Sequence, residues 1–178
     1  MNLLLIRGLS REMRHWGDFV SNLESSIKDL KVHRLEMPGA GTKYNMIAPL
    51  SIRGYVENLR NEFVELRKES NEDWSCFGIS MGAIVTLEWG RLYPNDFKHV
   101  FLVNTSVGNL SPFWHRMRPG SFLRVFKIFS AKDFITKEEQ ILDLTSFKYK
   151  KHEKSSQIVQ SWKKYRDEFP IKKSSILR

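Results

Sequence analysis

Four short apolar runs, at residues 3–6, 32–37, 74–79 and 99–103, each stop at turn-forming residues, and their spacing constrains the fold more than any other feature of the chain. They are too short for helices and carry aliphatic, β-branched or aromatic residues, so they read as strands. Between them apolar residues return at a period near 3.6. Trp16, Phe19, Val20, Leu23, Ile27 and Leu30 mark the first interval, and Val56, Leu59, Phe63 and Leu66 the second. A third pattern runs through Ile84, Leu87 and Leu92 and stops at Tyr93-Pro94, because proline disfavours helix in the residue before it. Strands alternating with helices of this length predict right-handed βαβ units. The fold class is therefore α/β, with a parallel sheet covered by helices on both faces.

After Ser106 the alternation ends. Thr136-Lys-Glu-Glu139 reads as a capping box that opens one helix, and Ser156 precedes an apolar stripe of Ile158, Trp162, Tyr165 and Phe169 that ends at Pro170. The expected organisation is a core at 1–106 and a helical segment at 107–178. Charge divides at the same place. Residues 1–106 hold 13 Lys and Arg against 13 Asp and Glu, whereas residues 107–178 hold 16 against 7, so the whole formal charge of +9 belongs to the second part. No recognition motif accompanies that charge, and Lys148-Tyr-Lys-Lys-His152 reads as a solvated face, so no nucleic-acid partner is expected. The run at 3–6 is shorter than the roughly 7–15 apolar residues of a secretory signal and the about 20 of a membrane span. With Cys76 as the single cysteine, the expectation is a cytoplasmic protein with no membrane partner.

The segment that carries chemistry is Gly78-Ile79-Ser80-Met81-Gly82, a match to G-x-S-x-G. At average residue usage the pattern arises by chance in about one chain in twenty of this length, so its setting matters more than its letters. Here a strand runs in from Trp74 and an amphipathic helix runs out through Ile84 and Leu87, which is the strand-turn-helix context the motif needs. A turn sharp enough to present Ser80 at a strand tip crowds the positions two before and two after it, and glycine relieves that crowding. The helix N-terminus would then set backbone N–H groups beside the reacting centre, where negative charge develops.

With these residues in order, the chain resembles the α/β-hydrolase superfamily over residues 1–106. Leu3-Leu-Leu-Ile-Arg-Gly-Leu9 is similar to the strand ending in His-Gly-x, Glu36-Met-Pro-Gly-Ala-Gly41 to the Asp-x-Pro-Gly-x-Gly turn, and 77–82 to the nucleophile elbow. The resemblance implies Ser80 as nucleophile, the backbone amides of Leu9 and Met81 as an oxyanion hole, and residues 107–178 as a helical cap. It also implies a small-molecule substrate, a carboxylic ester or thioester in the manner of small carboxylesterases, with no cofactor and no metal. Arg7, Phe113 and Trp114 are the candidates for a substrate pocket, although most cap aromatics, among them Phe122, Phe126, Phe129, Trp162 and Tyr165, are expected to pack in a core.

Three departures qualify the resemblance. Arg7 replaces the histidine before Gly8, and is expected either to attract an anionic substrate or to form an ion pair, for which Glu36 is the candidate partner. Glu36 itself replaces aspartate. The chain stops at Arg178 before the acid and histidine that the family places after its later strands, so the expectation is a sheet lacking its C-terminal strands, whose uncovered edge would allow self-association. His33 and His99 lie in strands, His15 at a helix start, and His115 and His152 in the basic segment, and none of them completes a triad. Two functions follow: serine-dependent ester hydrolysis, weak in the isolated 178 residues, or a non-catalytic interaction fragment that uses its basic cap.

Overall fold

The computed structural model describes residues 1–68, 72–106, 112, 115, 119–146 and 153–171. Strands β1 (Asn2–Ile6), β2 (Lys31–Leu35), β3 (Trp74–Ile79) and β4 (His99–Val103) form one parallel sheet in the order β2-β1-β3-β4. The bounds of β3 and β4 are those expected from sequence. β2 ends two residues early, because Met37 already turns and its carbonyl accepts the N–H of Ala40 at 3.1 Å.

β1 is buried at all five positions, as a central strand covered on both faces should be. Its alternate side chains feed two cores. Leu4 and Ile6 pack against α2 (Ile52–Lys68) and α3 (Met81–Leu92), through Val56, Leu59, Phe63, Val85 and Trp89. Leu3 and Leu5 pack with Trp16, Leu30 and the inner face of α1 (Phe19–Ser26). Phe63 stands edge-on to Trp74 at 5.1 Å and to Trp89 at 5.5 Å, and burying each such side chain contributes roughly 1.5–3 kcal/mol.

The first helical interval is not one helix. Residues Met13–Trp16 form a 3-10 turn, Gly17 breaks the chain at φ +50°, and α1 ends at Ser26 before an extended Ile27. The periodicity still identified most of the inward residues, since Phe19, Val20 and Leu23 pack with Leu3 and Leu5, but Ile27 is 40% exposed.

The two sheet edges differ. Lys31 and Arg34 blunt β2, whereas Val100, Phe101 and Leu102 leave β4 with an apolar, half-exposed edge.

The chain falls into two compact units, one of Met1–Ser106 with the chain from Phe169 onward, the other of Val107–Glu168. Phe169 does not continue the stripe of the preceding helix. Its ring packs 5.8 Å from that of Tyr44, and the guanidinium of Arg14 lies 5.1 Å from it. The second unit holds α4 (Pro119–Ser130), α5 (Phe134–Thr145) and α6 (Glu153–Glu168). Sequence patterning missed α4. It also misplaced the start of α5: Asp133, not Thr136, is the cap, and its carboxylate accepts the Thr136 N–H at 2.9 Å, so Thr136 lies inside the helix. α6 likewise begins ahead of Ser156, with Val159 fully buried. Contrary to the expected core packing, Phe122, Phe126 and Phe129 of α4 are exposed, while Trp162 and Tyr165 are half-buried.

Candidate active site

β3 ends at Ile79 and α3 starts at Met81, so Ser80 alone makes the turn between them. Its backbone sits at φ 57°, ψ −123°, a conformation that costs a side-chain-bearing residue about 1–3 kcal/mol and persists only where neighbours hold it. They do so from both sides. The Ser80 N–H donates to the Val103 carbonyl at 2.9 Å, and the Ser80 carbonyl accepts the Ala83 N–H at 3.0 Å.

Crowding explains the glycines. A Cβ on Gly82 would lie 2.4 Å from the Ile6 carbonyl oxygen and 2.5 Å from that of Arg7, and one on Gly78 would lie 2.6 Å from the Gly82 carbonyl oxygen. The elbow is therefore pressed against the end of β1. Ser80 is the N-cap residue of α3, yet its hydroxyl makes no capping bond to the helix, and among the described residues no side chain hydrogen-bonds to it. The side chain is exposed, which leaves the hydroxyl open to a ligand. Met81, as first residue of the helix, has an N–H with no acceptor within the helix.

The second proposed donor comes from the end of β1. Gly8 is buried against Ser80, and Leu9 follows it, 43% exposed. The chain then turns, with Ser10 at φ 60° and the Arg11 N–H on the Gly8 carbonyl at 3.3 Å. What fixes this loop is Glu36, the residue that stands in place of aspartate in the turn after β2. Glu36 is 3% exposed, and its carboxylate accepts the N–H of Met13 at 3.0 Å and both the N–H and hydroxyl of Thr42 at 2.6 Å. The loop after β1 and the loop after β2 are thus tied to one side chain. A narrow cleft runs between them, lined by Gly8, Leu9, Ser10, Met37, Tyr55 and Ile171 among others.

Arg7 forms no ion pair with Glu36, whose oxygens are already committed to N–H and hydroxyl donors. Its guanidinium lies 4.8 Å from the ring of Trp16, and its Nε is buried without an acceptor. Burial, with Arg11 adding to it, lowers its pKa to about 10. Phe113 and Trp114 lie outside the described residues.

Within the first unit, the histidines are separated from Ser80 or disabled. His33 bonds Asn2 Oδ1 at 3.1 Å and packs on Trp74. His99 pairs in register with Ser75 at the opposite end of the sheet. His115 is exposed in the second unit, and His152 lies outside the described residues. His15 is held by the turn at Met13–Trp16, with its Nδ1 accepting the Glu12 N–H at 3.2 Å. Burial, and then the charges of Arg11 and Arg7, push its pKa down to about 3, which makes it a feeble proton acceptor.

No protein-family model matches the chain. Over 103 residues, 57% of its length, it is 31% identical to the human monoacylglycerol lipase ABHD6, and the matched region is 29% of that enzyme. Among solved structures it is similar to the RedJ thioesterase of the prodiginine biosynthetic pathway in Streptomyces coelicolor, with a TM-score of 0.60, 14% identity and coverage of 98% of this chain and 58% of that one. It is also similar to Est816, an N-acyl homoserine lactone degrading enzyme, with a TM-score of 0.63, 14% identity and coverage of 94% and 58%. The chain thus spans less than two thirds of the solved structures and under a third of the curated relatives it matches.

Proposed function

We propose, for a chain whose fold is that of the α/β-hydrolases, serine-dependent hydrolysis of a carboxylic ester or thioester with Ser80 as the nucleophile. The observation that carries this reading is the strained Ser80 backbone, wedged between Gly8, Gly78 and Gly82 with its hydroxyl bonded to nothing in the described chain. Structural serines at helix starts spend their hydroxyl on the helix, whereas this one does not. Ser80 Oγ would attack the acyl carbonyl and lose its proton to a base. The oxyanion so formed would accept hydrogen bonds from the N–H groups of Met81 and Leu9, a reading supported by the closeness of Gly8, the residue before Leu9, to Ser80. Collapse of that intermediate would expel the alcohol or thiol and leave an acyl-serine for water to cleave.

Among the described residues of the first unit no histidine serves as the proton acceptor, since His15 is the wrong base electrostatically and His33 and His99 the wrong ones geometrically. Turnover by these 178 residues should accordingly be slow, of the order that binding and an oxyanion hole supply without a triad, roughly 10³–10⁴-fold over water. The test measures hydrolysis of p-nitrophenyl butyrate and of butyryl-thiocholine by the chain and by Ser80→Ala, together with labelling by a fluorophosphonate probe. Slow turnover and labelling that both vanish in Ser80→Ala support the assignment. Turnover that survives the substitution removes Ser80 from the mechanism.

A further inference from the structure

Arg7 precedes the glycine that touches Ser80, and its half-buried guanidinium has no counter-ion. Among the described residues it makes no hydrogen bond and no ion pair: Nε is buried without an acceptor, and the group lies over the ring of Trp16. The carboxylates of the surrounding loops are committed elsewhere. Glu12 accepts from Arg14 Nε at 2.8 Å, and Glu36 accepts the N–H groups of Met13 and Thr42. The one other charge that acts on Arg7 is that of Arg11, which repels it, yet with a pKa of about 10 the group stays charged at neutral pH. A cationic N–H removed from water and given no acceptor costs stability, and a fold that keeps one has a use for an acceptor brought from outside.

Position says which molecule brings that acceptor. Arg7 follows β1 and Ser80 follows β3, two neighbouring strands with Ile6 in register with Gly78. Both residues therefore stand at the carboxyl ends of the strands, where open α/β sheets hold their ligands. The backbone joins them closely, since a Cβ on Gly82 would meet the Arg7 carbonyl oxygen at 2.5 Å and one on Gly8 would meet Ser80 Oγ at 3.3 Å. Trp16, under the guanidinium, packs with Phe77 and with Ile79, the residue before Ser80. An anion on Arg7 thus shares the rim with a carbonyl on Ser80. The planar fork of a guanidinium matches the two oxygens of a carboxylate.

We propose that Arg7 is a specificity residue that binds a carboxylate carried by the substrate, so that the ester or thioester cleaved at Ser80 is an anionic one. This rests on the hydrolytic reading of Ser80 and names its substrate class, whereas the binding of the carboxylate itself does not need the serine.

The kinetic test compares p-nitrophenyl monoesters of adipate and suberate with the neutral hexanoate and octanoate esters, and 4-carboxyphenyl hexanoate with phenyl hexanoate. The first comparison places the carboxylate on the acyl group, the second on the leaving group. In one of them kcat/KM should favour the charged ester roughly tenfold or more, and in Arg7→Gln that ratio should fall towards one, with Arg7→Lys between. A preference that survives Arg7→Gln, or none in either comparison, overturns the proposal. The second test is independent of turnover: titration calorimetry of adipic acid monoamide should show binding to Ser80→Ala as to the parent, and binding roughly tenfold or more weaker to Arg7→Gln. If no ester is cleaved but this pattern holds, Ser80 loses its role and the carboxylate site stands; if the monoamide binds Arg7→Gln as well as the parent, the site falls whatever the esters do. Arg7→Met guards against a purely structural role, because removing an orphaned N–H should leave the urea midpoint no lower than that of the parent. A clear drop in that midpoint, with equal handling of charged and neutral esters, would assign Arg7 to packing on Trp16 and overturn the proposal.

Discussion

Gly8 lies against Ser80 so closely that a Cβ added to it would sit 2.9 Å from Ser80 Cβ and 3.3 Å from Ser80 Oγ. The end of β1 and the elbow therefore share one packed contact, and a methyl group there must move one of them. Gly8→Ala is expected to cost about 1–3 kcal/mol in urea unfolding and to reduce fluorophosphonate labelling of Ser80 by more than the stability loss explains. Labelling equal to that of the parent would show that the contact is incidental.

At Gly82 the obstruction is backbone, not a side chain that can rotate. A Cβ would meet the carbonyl oxygens of Ile6 and Arg7, so α3 would have to lift from β1. Gly82→Ala should be the more damaging substitution of the two, by about 3 kcal/mol or more, read as a lowered midpoint in the same unfolding experiment.

Glu36 uses both carboxylate oxygens as acceptors, one for Met13 and one for Thr42. Glu36→Gln keeps the size but turns one acceptor into a donor that faces an N–H. The expected loss is about 1–3 kcal/mol, with faster amide exchange at Met13 and Thr42. If only Glu36→Ala and not Glu36→Gln were destabilising, the side chain would be acting through packing alone.

His15 gives a pH dependence of definite sign. Its pKa drops from 6.5 to about 3 on folding, so between those values the unfolded chain holds a proton that the folded one does not. Stability contributed by the neutral ring is present above pH 6.5 and falls as the pH drops towards 3, by at most about 1.4 kcal/mol per unit. Glu12, whose pKa burial raises despite Arg14, works in the opposite direction. Thermal unfolding between pH 7.5 and 5 should show a steeper loss for the parent than for His15→Asn. Parallel curves would mean that His15 is hydrated in solution.

Strands β3 and β4, the inward face of α2, most of that of α1, and the position of Ser80 at a strand-to-helix turn were legible in the sequence, whereas the stripe expected for α3 put Leu87 inward although it is 45% exposed and Val85 and Trp89 fill the core. They depend on local periodicity and on glycines two positions either side of a serine. α4 escaped because its phenylalanines and leucine fit a core equally well, and a period reports which residues share a face without saying what that face meets. The cap of α5 escaped for a smaller reason: both Asp133 and Thr136 are good cap residues, and only the backbone conformation chooses between them.

Long-range placement belongs to the tertiary structure. Arg7 beside Glu36 in a list of unusual residues invites an ion pair, yet folding gives Glu36 to the amides of Met13 and Thr42 and lays Arg7 on Trp16. The burial that lowers the pKa of His15, the pressure of Gly8 on Ser80 and the exposure of the α4 face likewise arise between segments far apart in the chain. Sequence by itself determined which residues could take part in an elbow, a sheet or a helix, because those choices rest on neighbours a few positions away. Which of them touch, and what charge each then carries, was decided only when strands and loops separated by many residues were brought into one packed arrangement.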